Sequence, residues 1–264
     1  MDNVPESIYN YRINKINLKD GTPVEPGRIN VFVGANNCGK TQLLKDMLAY
    51  MTGSRTEPVL LTDLDLPYPS TWEELIAAYP MNIVDTNGGL QQLRHISPTL
   101  NAQPAGPQTF NLLNTLKQQL RNTDKREFRQ STGQGMVTFL NTDNRLSLTQ
   151  KCTVQNLQTV GPKNVLEALY HADIAAPNRI RELVKSTFNT DIYFDYTDPG
   201  TLQFRIGNDF STISENSRVA YSQVSRYPIL DNQGDGLRSY VGMISALMSL
   251  SKPIILLDEP EAFL

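Results

Sequence analysis

The first fifty residues alternate between apolar and polar positions in a way that predicts strands followed by a helix. Residues 8–18 are rich in aromatic and β-branched side chains, which predicts a strand with a bulge near Asn14. Residues 29–33 form a short apolar run that predicts a buried strand. Apolar residues then recur at helical spacing, at Leu43, Leu44, Met47, Leu48 and Met51. The order of these elements predicts an α/β arrangement, with the helix ending near Gly53.

The rest of the chain mixes helical and strand patterns. A capping-box spacing at Thr71 predicts a helix through residue 78, and leucines at helical spacing predict another over 110–121. Residues 136–140 and 145–148 flank a polar turn, which predicts a hairpin. Further on, the pattern predicts helices over 164–172, 178–188 and 237–250, paired strands over 192–196 and 202–206, and a strand over 254–257.

Composition narrows the class of protein. Of 264 residues, 39% are hydrophobic and 19% are charged, which leaves enough apolar material for a folded core. No apolar run approaches the ~18 residues of a membrane helix and no secretory signal opens the chain, so we expect a cytoplasmic protein that does not enter the membrane. The two cysteines, Cys38 and Cys152, fit a reducing compartment.

The distribution of charge does not exclude nucleic acid as a binding partner. The net charge of −3 excludes binding driven by a basic surface as a whole. One local basic cluster consists of Lys117, Arg121, Lys125, Arg126 and Arg129. These residues could contact nucleic-acid phosphates, although a solvated helix face is the simpler interpretation.

Residues 34–41 match the phosphate-loop pattern G-x-x-x-x-G-K-[ST] without a mismatch. Gly34 and Gly39 let successive main-chain N–H groups face a phosphate, and the following helix adds the positive potential of its N-terminus. Lys40 would place its charge on the β- and γ-phosphates, and Thr41 would offer its hydroxyl to Mg²⁺. A chance glycine-rich turn is the simpler alternative. We expect ATP to be bound by Gly34, Asn36, Asn37, Cys38, Gly39, Lys40, Thr41 and Gln42.

Two adjacent acids follow the last predicted strand. Four apolar residues lead into Asp258 and Glu259, as in the strand that holds Mg²⁺ in P-loop nucleotidases. Asp258 would bind Mg²⁺ directly or through water, and Glu259 would orient or deprotonate the attacking water. A strand that ends in a solvated acidic loop is the alternative, which the phosphate loop far upstream disfavours.

Together these motifs resemble those of ABC-type ATPases. The string Asp-Glu-Pro-Glu-Ala-Phe-Leu at 258–264 is most similar to OLD-type and related defence ATPases. The resemblance implies an α/β ABC-type P-loop domain, with a nucleotide-binding core over 1–53 and 226–264 and an inserted α+β region over 54–225. It also implies a later strand that ends in a histidine. We therefore expect the C-terminal part of the domain to be missing from this sequence.

A glycine-containing turn stands where ABC-type ATPases carry their signature. Gly234-Asp235-Gly236 is similar to the variant in OLD-like proteins, and Gly236 would expose N–H groups at a helix N-terminus. An ordinary helix start is the alternative. The resemblance implies a homodimer or higher homo-oligomer with ATP sandwiched between one subunit's phosphate loop and the other's turn. Asp235 is the awkward residue, because its charge near phosphate needs Mg²⁺ or Arg238 to offset it.

The resemblance implies an ATP-binding and hydrolysing subunit of a prokaryotic anti-phage defence complex, as in the Septu and retron systems. There the ATPase would control a nuclease effector, either a separate subunit or a fused domain. One alternative is a RecF- or SMC-like ATPase of DNA repair, although no long coiled-coil pattern separates the motifs. The other is a nucleotide-gated scaffold with little turnover, which Glu259 disfavours.

Overall fold

The computed structural model describes residues 9–71, 74–75, 82–86, 90–94, 112–154, 162, 164–250 and 252–262. The chain divides into two compact units. The first unit contains residues 1–95, 105–139 and 252–258, and the second contains residues 96–104, 140–251 and 259–264. The boundaries of these units differ from those of the expected nucleotide-binding core and inserted region. The division into core and insertion stays a prediction.

The described residues contain both helices and strands, in mixed order along the chain. The first half contains β1 (Lys15–Leu18), β2 (Pro23–Val24), α1 (Lys40–Met51), β3 (Leu61–Asp65), β4 (Asn82–Thr86), β5 (Leu90–Arg94), α2 (Leu112–Arg121), α3 (Arg126–Met136) and β6 (Val137–Leu140). The second half contains α4 (Thr142–Arg145), β7 (Cys152–Thr153), α5 (Val165–His171), α6 (Ala175–Phe188), β8 (Asp191–Asp195), β9 (Thr201–Gly207), α7 (Ser217–Val224), a 3-10 helix (Leu230–Asn232), α8 (Asp235–Ser249) and β10 (Ile254–Leu257).

In the first unit, helix α1 packs against a small antiparallel sheet with the order β2-β1-β3. The predicted apolar face of α1 is confirmed, because Leu43, Leu44, Met47 and Met51 are all buried in one core. The helix ends as predicted, with Gly53 in the left-handed region at φ 63°. A side chain at Gly53 would also meet the Arg126 carbonyl oxygen at 2.5 Å. Strand β10 pairs with β6, and strands β4 and β5 form an antiparallel pair.

Two arginines of the predicted basic cluster form hydrogen bonds at the C-terminal end of helix α1. Arg129 Nε donates to the Tyr50 carbonyl at 2.9 Å, and its guanidinium lies over the Tyr50 ring at 4.2 Å. Arg126 Nε donates to the Gly53 carbonyl at 3.4 Å. Positive charge is favourable at a helix C-terminus. These two arginines therefore join α3 to the end of α1.

The predicted strand over 29–33 is wrong. The structure assigns no strand there, and the side chains of Ile29, Val31 and Val33 are 85%, 78% and 88% exposed. A buried strand needs hydrogen-bonded neighbours, and no described strand pairs with this segment. The first strand is also shorter than the predicted 8–18, and its register shifts between Asn17 and Leu18 rather than near Asn14.

The predicted hairpin over 136–148 is wrong in its second half. Strand β6 forms, but the turn residues begin helix α4. Asn141 Oδ1 accepts from Asn144 N at 2.8 Å, and Asn144 Oδ1 accepts from Asn141 N at 3.0 Å. Asparagine favours turns and helix caps alike, and this reciprocal pair closes a capping box.

In the second unit, helix α8 packs against α4, α5 and α6. The predicted paired strands are confirmed as the antiparallel pair β8–β9 in a sheet with the order β7-β9-β8. Buried Asp195 accepts from Arg205 Nε at 2.9 Å, and Arg205 Nη1 donates to the Tyr227 carbonyl at 2.9 Å. The predicted helix over 164–172 forms with Asn164 as its N-cap. Most of the helix predicted from Thr71 lies outside the described residues.

Candidate nucleotide site

The glycine-rich loop leads directly into helix α1. Gly39 caps the helix with φ 98°, and a side chain there would meet Leu60 Cδ1 at 2.9 Å. Asn37 also adopts a positive φ of 63°, while Asn36 is exposed. A side chain at Gly34 would meet Cys38 Sγ at 2.5 Å. The backbone conformation therefore favours glycine at position 39, whereas at Gly34 an added side chain would conflict only with the Cys38 side chain.

Lys40 folds back over this loop. Its Nζ donates to the Gly34 carbonyl at 2.7 Å and to the Ala35 carbonyl at 2.9 Å, and lies 3.9 Å from Cys38 Sγ. Cys38 is exposed. The lysine charge is therefore held at the predicted phosphate-binding loop by neutral carbonyl oxygens.

Thr41 meets the acidic strand. Its Oγ1 donates to Asp258 Oδ1 at 2.9 Å, although 217 positions separate the two residues. Asp258 is only 9% exposed and follows strand β10 directly. Within the described part of the chain, no three His, Cys, Asp or Glu side chains gather as a metal site. Mg²⁺ commonly takes one or two protein oxygens and keeps several waters, so the Thr41 hydroxyl and the Asp258 carboxylate fit it.

The side chain of Gln42, which is predicted to bind nucleotide, forms a hydrogen bond within helix α1. Its Nε2 donates to Asp46 Oδ1 at 2.7 Å, and Asp46 Oδ2 accepts from Leu60 N at 2.6 Å and Leu61 N at 3.2 Å. Burial raises the pKa of Asp46, but these hydrogen bonds outweigh it and hold the pKa below its ordinary value. The sequence analysis did not predict this role for Asp46. The only signal in the sequence is an acidic residue among the apolar positions of α1.

Glu259 belongs to the second unit and is exposed. Its φ of 47° is unusual for a residue with a side chain. Its carbonyl oxygen accepts from Arg145 Nη2 at 2.8 Å and from Ala262 N at 3.0 Å. The carbonyl of the second acid therefore accepts two hydrogen bonds, while the residue itself is exposed to solvent.

The signature-like turn begins helix α8, as predicted. Gly234 is the N-cap, and Gly236 lies in the first helical turn. Arg238 Nη1 donates to Asp235 Oδ1 at 3.0 Å, which offsets the acidic charge at this helix start. Arg238 Nη2 also donates to the Leu146 carbonyl at 3.2 Å. The glycines and the phosphate loop lie in different units.

Sequence reasoning also missed Lys252, just before β10. The side chain is buried, and its Nζ donates to the carbonyls of Gln134 at 2.8 Å and Val137 at 3.4 Å. Burial lowers the pKa of Lys252 to about 8. A lysine next to a predicted strand gives no sign in the sequence that it will be buried.

Comparison of the chain with protein-family models, with curated proteins and with solved structures finds no match. No helix among the described residues is both long and apolar enough to cross a membrane.

Proposed function

We propose that this chain is an ABC-type P-loop ATPase subunit that binds and hydrolyses ATP with Mg²⁺. The observation that carries the proposal is the 2.9 Å hydrogen bond between Thr41 and Asp258. The sequence marks these two residues independently, one by the phosphate loop and the other by the acidic strand. A chance glycine-rich turn gives no reason for its threonine to meet the end of a distant acidic strand. Their meeting inside the first unit therefore supports a nucleotide site.

The phosphate end of the site is built from main-chain groups and one cation. The N-terminus of α1 offers N–H donors, and Gly39 begins the helix with the positive φ of 98° that glycine adopts readily. A polyphosphate gives Lys40 charged acceptors in place of the carbonyls of Gly34 and Ala35, and charge-assisted hydrogen bonds are the stronger ones. Lys40 therefore binds the β- and γ-phosphates in this proposal.

Thr41 and Asp258 would hold Mg²⁺, and Glu259 would act on water. When bound, Mg²⁺ offsets the charge of the β- and γ-phosphates. Glu259 follows Asp258 directly, and its exposed carboxylate accepts the proton of the attacking water. The two adjacent acids thereby have separate roles, one in binding and one in hydrolysis.

We also propose a setting for this activity, which rests on the sequence resemblance alone. The chain would be the ATPase of a prokaryotic anti-phage defence complex that controls a nuclease effector. Two copies would pair head to tail, so that Gly234 and Gly236 of one subunit meet the nucleotide of the other. A RecF- or SMC-like repair ATPase and a slowly hydrolysing scaffold are the alternatives. DNA-stimulated turnover would favour the first, and tight binding without turnover would favour the second.

The test is the binding of a fluorescent ATP analogue with and without Mg²⁺. Lys40→Ala should weaken binding about tenfold or more, because hydrogen bonds to charged groups contribute about 1.5–3 kcal/mol. Thr41→Val keeps the shape of the side chain but removes the hydroxyl, so Mg²⁺ should no longer improve its affinity.

Thr52→Val is the matched control. Thr52 caps the other end of α1, where its hydroxyl donates to the Leu48 carbonyl at 2.8 Å. This variant should bind the analogue like the wild type and keep its response to Mg²⁺. Equal affinity in the wild type and Lys40→Ala would overturn the proposal.

A further inference from the structure

Arg145 is the largest of the fully buried side chains, although arginine is rarely buried. It ends the short helix α4, whose start is fixed by the reciprocal bonds between Asn141 and Asn144. Burying a guanidinium is costly unless its donors are satisfied. The partners of Arg145 therefore indicate why it is placed there.

One of those partners is the main chain at Glu259. Arg145 Nη2 donates to the Glu259 carbonyl at 2.8 Å, and both residues belong to the second unit. Glu259 adopts the left-handed conformation, in which residues with a side chain are rarely found unless their surroundings hold them. A charge-assisted hydrogen bond to the carbonyl fixes the peptide that carries the side chain.

Helix α8 packs against the main chain at Arg145. A Cβ added at Gly242 would lie 2.2 Å from the Arg145 carbonyl oxygen, so α8 approaches this turn as closely as a glycine allows. Arg238 donates to the carbonyl of the next residue, Leu146. Helix α8 thus supports the turn that carries Arg145.

We propose that Arg145 is a positioning residue for hydrolysis, whose buried guanidinium holds the Glu259 main chain so that the carboxylate keeps its working orientation. This proposal rests on the proposed function, because Glu259 is the acid assigned to hydrolysis. Arg145 touches neither nucleotide nor water in this role. It acts only through the Glu259 carbonyl.

The experiment uses Arg145→Lys, which keeps the charge but shortens the reach and removes the fork of donors. We expect kcat to fall between about tenfold and a hundredfold, because a displacement of 1 Å can cost that much. KM for ATP should stay within about twofold, since the phosphate-binding residues are untouched. Hydrogen exchange at the Ala262 amide, which donates to the same Glu259 carbonyl, should become faster.

Arg205→Lys is the matched control, because Arg205 is a mostly buried arginine of the second unit, 13% exposed, that also donates to a main-chain carbonyl. It should lower the unfolding midpoint without changing kcat or exchange at Ala262. If Arg145→Lys does not fold, Asn141→Ala is the milder test, since it keeps the guanidinium but removes the capping bond that fixes the turn from which Arg145 reaches Glu259. It should lower kcat in the same way.

The outcomes separate this inference from the proposed function. A folded variant at Arg145 or Asn141 with wild-type kcat, in a protein that hydrolyses ATP, overturns the positioning role alone. A wild-type protein that binds ATP but never hydrolyses it overturns the hydrolytic function and the inference with it. A fall in kcat that Arg205→Lys reproduces shows a general loss of stability and also overturns the positioning role.

Discussion

At the residue scale, the side chains of the candidate site are already held by hydrogen bonds. Lys40 is bound by carbonyl oxygens of its own loop, and the Thr41 hydroxyl is bound by Asp258. Side chains that are ordered in advance lose less entropy when a ligand binds. Glu259 differs, because its backbone is fixed while its carboxylate is exposed. This difference agrees with the proposal that Lys40 and Thr41 act in binding and that Glu259 acts in proton transfer.

Glu259→Gln should keep ATP binding and lose turnover. Glutamine has the same shape and can adopt the same backbone, but its neutral amide does not accept a proton from water. The loss of a general base typically costs ~10²–10⁴-fold in rate. Phosphate release measures the effect, and Glu261→Gln, at an exposed acid two residues later, is the control. A Glu259→Gln protein that hydrolyses ATP at the wild-type rate would show that Glu259 is only a loop acid.

At the element scale, buried polar contacts join segments that are far apart in sequence. Asp46 on α1 accepts the main-chain N–H groups at the start of β3. Lys252 joins the segment before β10 to the end of α3 and the start of β6, through the carbonyls of Gln134 and Val137. Both side chains are charged and nearly inaccessible to solvent. Such groups make the stability of the first unit depend on protonation.

We expect the free energy of unfolding to rise with pH between about 8 and 9 because of Lys252. Its pKa is lowered by burial from 10.5 to about 8, so above pH 8 the unfolded state holds one proton more than the folded state. The expected rise over this interval is about 1 kcal/mol. Burial raises the pKa of Cys152 from 9.0 to about 11, which opposes part of the rise as the pH approaches 9 and more of it above pH 9.

Urea unfolding between pH 7 and 9 measures this dependence. Lys252→Met should remove the rise, whereas Lys45→Met, at an exposed lysine of α1, should keep it. The decisive quantity is the slope with pH rather than the absolute stability, since Lys252→Met also leaves two carbonyls without their donor. Identical slopes in the wild type and Lys252→Met would contradict the assignment.

At the scale of the whole molecule, the predicted functional residues are shared between two units of one chain. The first unit holds the phosphate loop and Asp258, and the second holds Glu259 and the turn at Gly234 and Gly236. One of the boundaries between the units falls at the peptide bond between Asp258 and Glu259. In the proposed head-to-tail pair the turn serves a partner's nucleotide, and two equivalent sites follow from the symmetry of such a dimer.

Gly236→Arg should block ATP-dependent pairing and leave ATP binding by the monomer intact. The arginine fills space that the partner's γ-phosphate needs. Light scattering on Glu259→Gln protein, with and without ATP, measures pairing, and Asn37→Cys with Asp235→Cys tests it by cross-linking between subunits. Gly27→Arg adds the same side chain at a glycine with open space around it and should pair normally. If ATP raises neither the mass nor the cross-linking, the turn is only a helix start.

Elements that depend on local interactions are predictable from the amino-acid sequence. The helix after the phosphate loop is specified by its apolar spacing and by glycines with positive φ at positions 39 and 53. Asn164 caps its helix, and the predicted paired strands form as β8 and β9. The candidate residues Lys40, Thr41, Asp258 and Glu259 were likewise visible from their spacing. Each of these features depends on neighbours within a few positions of the chain.

Contacts between residues that are distant in sequence depend on how the whole chain packs. The apolar run at 29–33 is a strand only where another strand pairs with it, and no described strand does so. Residues 141–144 fit a turn and a capped helix equally well by sequence, and the fold uses them to begin the helix that carries Arg145. The Thr41–Asp258 and Arg145–Glu259 contacts span 217 and 114 positions. Local patterns do not encode such contacts, because they form only when packing brings remote segments together and removes their polar groups from water.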